Sequence, residues 1–113
     1  MKRASEYFYL EDSTRLFGSQ NEVVKFIKGL LLKDFKVYEI AQKQGELVPY
    51  HAHAHEEMIL MLEGEMRLVI EEEIIDIKEG DLLTIKPWSI HLASFPHEKG
   101  ARFYLCYPKK NAG

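Results

Sequence analysis

The chain has 113 residues, 46% of them hydrophobic and 29% charged, with a formal net charge of -3. That is room for one domain with one core, and the slight acidic excess argues against a nucleic-acid partner, which calls for a basic face. No run reaches the roughly 18–20 apolar residues that span a bilayer, no basic amphipathic helix marks a membrane surface, and the lone Cys106 excludes an intrachain disulfide framework.

The N-terminus mixes Lys2, Arg3 and Glu6 with aromatics. It lacks the apolar stretch of a secretory signal, so the expected location is the cytoplasm. Residues 1–20 are poorly periodic and predict an irregular arm or a short edge strand. Residues 21–34 read two ways. Ser19 and Glu22 fit a capping box, and Val23, Ile27 and Leu30 are spaced for a helix. Gly29 and the Val23-Val24 pair favour a strand.

From Phe35 on the chain reads as all-β. Phe35 to Gln42 is a strand that ends at the Gln44-Gly45 turn. Met58 to Leu62 is apolar throughout, as a strand buried on both faces is. Glu63-Gly64-Glu65 predicts a turn, Met66 to Ile70 a strand, and Glu71-Glu72-Glu73 an acidic corner. Ile74 to Lys78, Leu82 to Ile85, His91 to Phe95 and Ala101 to Tyr107 follow as strands, with Glu79-Gly80-Asp81 a turn and Pro96 and Pro108 as stops. Short strands at this spacing predict a sandwich or barrel. The expected organisation is an arm and edge element over 1–34, a barrel over 35–108 and a frayed tail over 109–113.

Three of the five histidines, His51, His53 and His55, alternate and are followed by Glu56 and Glu57. An extended strand sends His51 and His53 to one face. Glu57 has the same parity and joins them if the chain stays extended or bends back. A bulge would substitute Glu56. Imidazole and carboxylate suit first-row divalent metals.

The order Gly45, His51-x-His53, Glu57, Gly64 resembles the first cupin motif without a gap. Gly80-Asp81-Leu82-Leu83-Thr84-Ile85-Lys86-Pro87-Trp88-Ser89-Ile90-His91 resembles the second, and fifteen residues separate Gly64 from Gly80. The resemblance implies an all-β cupin double-stranded β-helix, a jelly-roll barrel, with an N-terminal arm or extra strand or short helix. It implies one divalent transition-metal ion (Fe, Mn, Ni, Co or Zn) held by His51, His53, Glu57 and His91. His55 falls in the turn, outside the ligand set.

The chain departs from the pattern where Lys86 replaces a usual proline and Trp88 a usual glycine. Trp88 resists a positive φ, so a turn of different shape is expected there. Phe95 takes the last motif position, often Asn, and predicts a more apolar pocket. Trp88 as a pocket wall, Tyr38 and Tyr50 as hydroxyl donors, and Met61 and Phe103 complete the pocket candidates. Cys106 reads as a core filler, and Arg67 and Arg102 as solvent-facing.

The function implied is a metalloenzyme of dioxygenase, isomerase or decarboxylase type acting on a small organic molecule. The alternative is a non-catalytic module that binds a small ligand such as a sugar. A third reading is a homodimer in which the metal mainly staples the barrel. A homodimer without nucleic-acid or membrane partners is the expected assembly.

Overall fold

Apolar side chains at every second position make residues 66–70 and 73–78 half-buried strands, whereas residues 81–85 are buried on both faces. In chain order the elements are β1 (Arg3–Ala4), β2 (Phe8–Asp12), α1 (Gln20–Leu32), β3 (Phe35–Gln42), β4 (Leu47–His51), β5 (Glu57–Ile70), β6 (Glu73–Lys78), β7 (Asp81–Ile85), β8 (His91–Ser94) and β9 (Ala101–Pro108). The computed structural model describes residues 3–12 and 20–109.

β5 belongs to two sheets. Its first half pairs with β7 and β9, its second half with β6 and β8. The first sheet therefore runs β1-β2-β7-β5-β9-β3 and the second β4-β8-β5-β6, every pair antiparallel. The inner faces close on a core that includes Phe8, Ile59, Met66, Leu68, Ile77, Leu83, Phe95 and Phe103. Short strands and turn signals predict a sandwich or barrel, and the barrel observed is the jelly roll that the resemblance implies.

Three expectations need correction or completion. Glu63-Gly64-Glu65 is not a turn: it lies inside the 14-residue β5, which bends there with a register shift between Met61 and Glu63. Gly64 has φ +77° at the point where the strand changes sheets, a conformation open to glycine.

The N-terminal segment is more than an edge. Among the described residues β1 pairs only with β2, but β2 lies against β7, and Phe8 and Leu10 are buried in the core.

The ambiguous stretch is a helix, and the proposed cap Ser19 lies outside the described residues. α1 packs on β3, with Leu30 buried. Helical spacing of Val23, Ile27 and Leu30 outweighs the two valines, because one buried stripe stabilises more than propensity costs. The helix closes through Asp34, at φ 68°, in the left-handed position usual at C-termini.

Cys106 is fully buried, and burial pushes its thiol up to about 12, so it stays protonated and inert. Arg67 pairs with Asp76, and Arg102 with Glu39 and Glu63, all near solvent. No helix among the described residues is long and apolar enough to cross a membrane.

Candidate metal centre

His51, His53, Glu57 and His91 converge, with one ligand atom from each within 4.8 Å of every other. They do so by a different route from simple alternation. His51 is the last residue of β4, whereas His53 lies in the connection beyond it, so the two do not share a strand. The strand contact that matters is His51 opposite His91 on β8. Cross-strand partners present side chains to the same face a few ångströms apart, and the two rings stand 4.3 Å apart, centroid to centroid. The chain then bends at Ala54-His55 and returns Glu57 at the start of β5. The centre thus joins the two sheets at one end of the barrel.

The turn between β7 and β8 fixes two of the histidines. Trp88 N–H donates to the His53 carbonyl at 2.7 Å, and Ser89 presents its carbonyl to His91 Nδ1 at 2.8 Å. Trp88 reaches its position with φ 63°. The turn therefore keeps the left-handed geometry that glycine would give, against the expectation of a changed shape. A bulky residue pays about 1–2 kcal/mol for this, and the hydrogen bond to His53 offsets part of it.

Tautomers follow from the acceptors. A carbonyl only accepts, so His91 Nδ1 carries its proton toward Ser89. His51 Nδ1 does the same toward the Pro49 carbonyl at 2.8 Å. Each ring is left with an Nε2 lone pair, the arrangement of metal-bound histidines whose outer partner fixes orientation. His91 Nε2 is buried and has no hydrogen-bond partner. A buried nitrogen in that state costs about 1–3 kcal/mol, and a cation among the four ligands would relieve it. His53 Nε2 and Glu57 Oε2 are 2.9 Å apart. Two ligands at right angles, each roughly 2.1 Å from a metal, stand about 3 Å apart, so this pair fits one ion.

Electrostatics favour the ligand forms. Burial, then the neighbouring histidines, pulls His53 down to about 4. Burial lowers His91 as well, partly countered by the Ser89 bond. Both imidazoles are neutral near pH 7 and need lose no proton before binding. Burial raises Glu57, with His51 and His55 pulling the other way. A cation would supply the compensation its carboxylate lacks.

These shifts predict an acid-side loss of stability in the metal-free protein. His53 has a folded pKa below the unfolded 6.5, so between pH 6.5 and about 4 the unfolded chain binds more protons. Its contribution is present above that window and fades as pH falls through it. Glu57, raised on folding, has the opposite sign. Thermal melts in chelator across pH 4–7 should show a declining melting temperature on acidification, and His53→Gln should flatten the decline. A slope unchanged by that substitution would remove His53 as the cause.

The other sequence candidates do not gather at the centre. Met61, Phe95 and Phe103 are core residues, with Phe95 and Phe103 stacked 6.2 Å apart. Tyr50 and Trp88 are 58% and 68% exposed. Tyr38, 45% exposed, is the one beside the site, through its ring contact with Tyr107 at 5.9 Å. Glu56 is not in the cluster. His55 stays outside the ligand set as expected, but it is no bystander. Its ring stacks on His53 at 4.8 Å and on Tyr107 at 4.5 Å. Sequence reasoning missed Tyr107 and Lys36, whose parity with the inward Phe103 and Ile40 was the available signal.

Comparison with known proteins agrees with this geometry. The family described as the cupin domain matches residues 38–107. No curated protein matches the chain. Among solved structures, an RmlC-like cupin from Methanocaldococcus jannaschii with a double-stranded β-helix fold is 19% identical, with TM-score 0.63 over 67% of this chain and 71% of that one. An RmlC-like cupin from Shewanella frigidimarina is 20% identical, with TM-score 0.61 over 71% and 70%. A predicted oxalate decarboxylase from Thermotoga maritima is 18% identical, with TM-score 0.63 over 72% of each chain. At these identities the likeness is one of fold. The family match spans more than half of the chain, takes in the whole ligand cluster, and sits on the two-sheet barrel: this chain belongs to the cupin family.

Proposed function

We propose that this protein is a metalloenzyme that acts on a small organic molecule at a divalent transition-metal ion held by His51, His53, Glu57 and His91. The observation that carries the reading is the buried, unpartnered His91 Nε2 facing Glu57 Oε2 at 3.9 Å. A bound ion of this kind supplies Lewis acidity, or dioxygen chemistry if it is iron. The protein's own part is to fix the ligands. Pro49 and Ser89 carbonyls hold two imidazoles, the Trp88 amide holds the loop of His53, and β5 holds the carboxylate. Four protein ligands leave about two positions of a six-coordinate ion for substrate. Phe8, Ile85 and Ile70, all nearly inaccessible, close the core side and exclude water there.

The division into an N-terminal element over 1–34, a barrel over 35–108 and a tail, together with a cytoplasmic homodimer, completes the proposal. Leu47, Tyr50 and Ile74, all more than half exposed, support an apolar contact with a second copy.

Elemental analysis of protein purified without added metal or nickel resin tests the premise. About one equivalent of a transition metal per chain is expected. A protein that copurifies with none and takes up none on dialysis against Fe, Mn, Ni, Co or Zn would overturn the reading. Metal uptake and ligand binding with no turnover of any chelating compound would favour the binding module.

A further inference from the structure

The ladders of the first sheet place one row of side chains across its inner face. Phe8 is opposite Ile85, and Ile85 is opposite Glu57. Met58 is opposite Cys106, so one step further along the same ladder sets Tyr107 opposite Glu57. Tyr107 is in turn opposite Lys36 on β3. Burial falls along this row: Phe8 and Ile85 are inaccessible, Glu57 is 7% exposed, Tyr107 is half-buried and Lys36 is exposed. The metal centre is therefore sealed on the Phe8 side and open toward β9 and β3.

The open side is polar and ordered. Tyr107 is fixed by its stack on His55, which is itself stacked on His53. The Tyr38 ring stands beside that of Tyr107, 5.9 Å between centroids and tilted by 32°. Lys36 Nζ lies 5.9 Å from the Tyr107 ring centroid, and among the described residues it has no carboxylate partner. Three neutral imidazoles, one carboxylate and a divalent ion leave one net positive charge, to which Lys36 adds a second.

We propose that Lys36, Tyr38 and Tyr107 form the recognition wall of this centre and select a ligand with two acidic groups, one chelating the metal and the other meeting Lys36. The inference rests on the metal-centre reading and adds the substrate class. Adjacent strands are about 4.8 Å apart, so the Lys36 backbone is roughly 10 Å from that of Glu57 across β9. A two-carbon diacid with both carboxylates on the metal leaves Lys36 unused. A diacid of about five carbons spans the gap, its chain along Tyr107 and its distal carboxylate at the ammonium and the phenol pair. Lys36 and the tyrosines are specificity residues in this assignment.

Calorimetric titration of the cobalt-loaded protein with two probes tests it. 2-Oxoglutarate and 2-oxopentanoate share the chelating end and the carbon count and differ in the charge of the far end. The diacid is expected to bind about tenfold more tightly, the range of one partly exposed charge-assisted contact. Lys36→Met should bring the two within about twofold by weakening the diacid alone, with cobalt stoichiometry and 2-oxopentanoate affinity unchanged. Lys36→Arg should retain the preference. Equal affinities in the unsubstituted protein, or a preference that survives Lys36→Met, would overturn the assignment while leaving the metal centre standing. Failure to load cobalt at all would instead remove the metal-centre reading and this one with it.

Discussion

Replacing His91 with Leu is expected to abolish tight metal binding and yet leave the metal-free protein about as stable as before. The two effects have one cause. His91 is 3% exposed, its Nδ1–H is spent on the Ser89 carbonyl, and its Nε2 has no partner. Leucine leaves the carbonyl of buried Ser89 without its partner, at about 1–3 kcal/mol, but removes an orphaned buried nitrogen of similar cost, so the two nearly cancel. With metal present the balance tips against the variant. Loss of an outer-shell partner alone lowers metal affinity by about 10–100-fold, so loss of a direct ligand should exceed a hundredfold. At a free-metal concentration of 100 times the dissociation constant, binding adds about 2.7 kcal/mol to stability. Melts with and without chelator should show that increment in the parent and none in His91→Leu. If the variant holds metal within tenfold of the parent, His91 is not a ligand. If its metal-free form melts well below the parent, Nε2 is not the cost described.

The site was more legible in the sequence than the way it is built. The four members of the candidate cluster were readable because two motifs fall in register on residues whose chemistry suits a metal. Their convergence was not, since it rests on the His51–His91 ladder between β4 and β8 and on the bend at Ala54-His55. A strand pairing across forty residues leaves no local trace. The same limit hid Tyr107, which comes opposite Glu57 only through the β9-β5 ladder, and Lys36, which lies one strand further on β3. Trp88 failed for a different reason. Local φ preference argued against the left-handed turn, but the hydrogen bond to the His53 carbonyl and the flanking strands override it.

The fold shows the same division. Apolar runs and turn signals located most of the strands after Phe35, and Met66, Leu68 and Ile70, which alternate in the sequence, are all buried. Gly64 was misread because glycine between two glutamates signals a turn by composition, and only the tertiary structure shows a strand passing through a crowded crossing.

That crossing carries the largest stability effect expected of any single methyl group. A Cβ at Gly64 would lie 1.9 Å from the Gly100 carbonyl oxygen and 3.0 Å from Ala101 Cα. Those are backbone atoms of the segment entering β9, and that segment is itself pressed on β3: a Cβ at Gly100 would lie 2.0 Å from the Gln42 carbonyl oxygen. No side chain can swing away, so Gly64→Ala must separate β5 from β9 as well as strain a φ of +77°. Overpacking costs about 1–3 kcal/mol and left-handed strain about 1–2 kcal/mol, a sum of roughly 3 kcal/mol or more. In a domain near this size that is a fall of at least about 12 °C in melting temperature. Two other glycines separate the causes. Gly45 has φ +85° but open space around its missing Cβ, so Gly45→Ala should cost only the strain, about 1–2 kcal/mol. Gly29 lies in α1 with neither constraint, and Gly29→Ala should stabilise by about 0.5–1 kcal/mol. Urea melts of the three variants should rank them Gly29→Ala, Gly45→Ala, Gly64→Ala from most to least stable. A Gly64→Ala protein no less stable than Gly45→Ala would mean that β5 does not cross Gly100 at this distance, and that the passage of one strand between the two sheets, which sets Glu57 against the histidines, is looser than described.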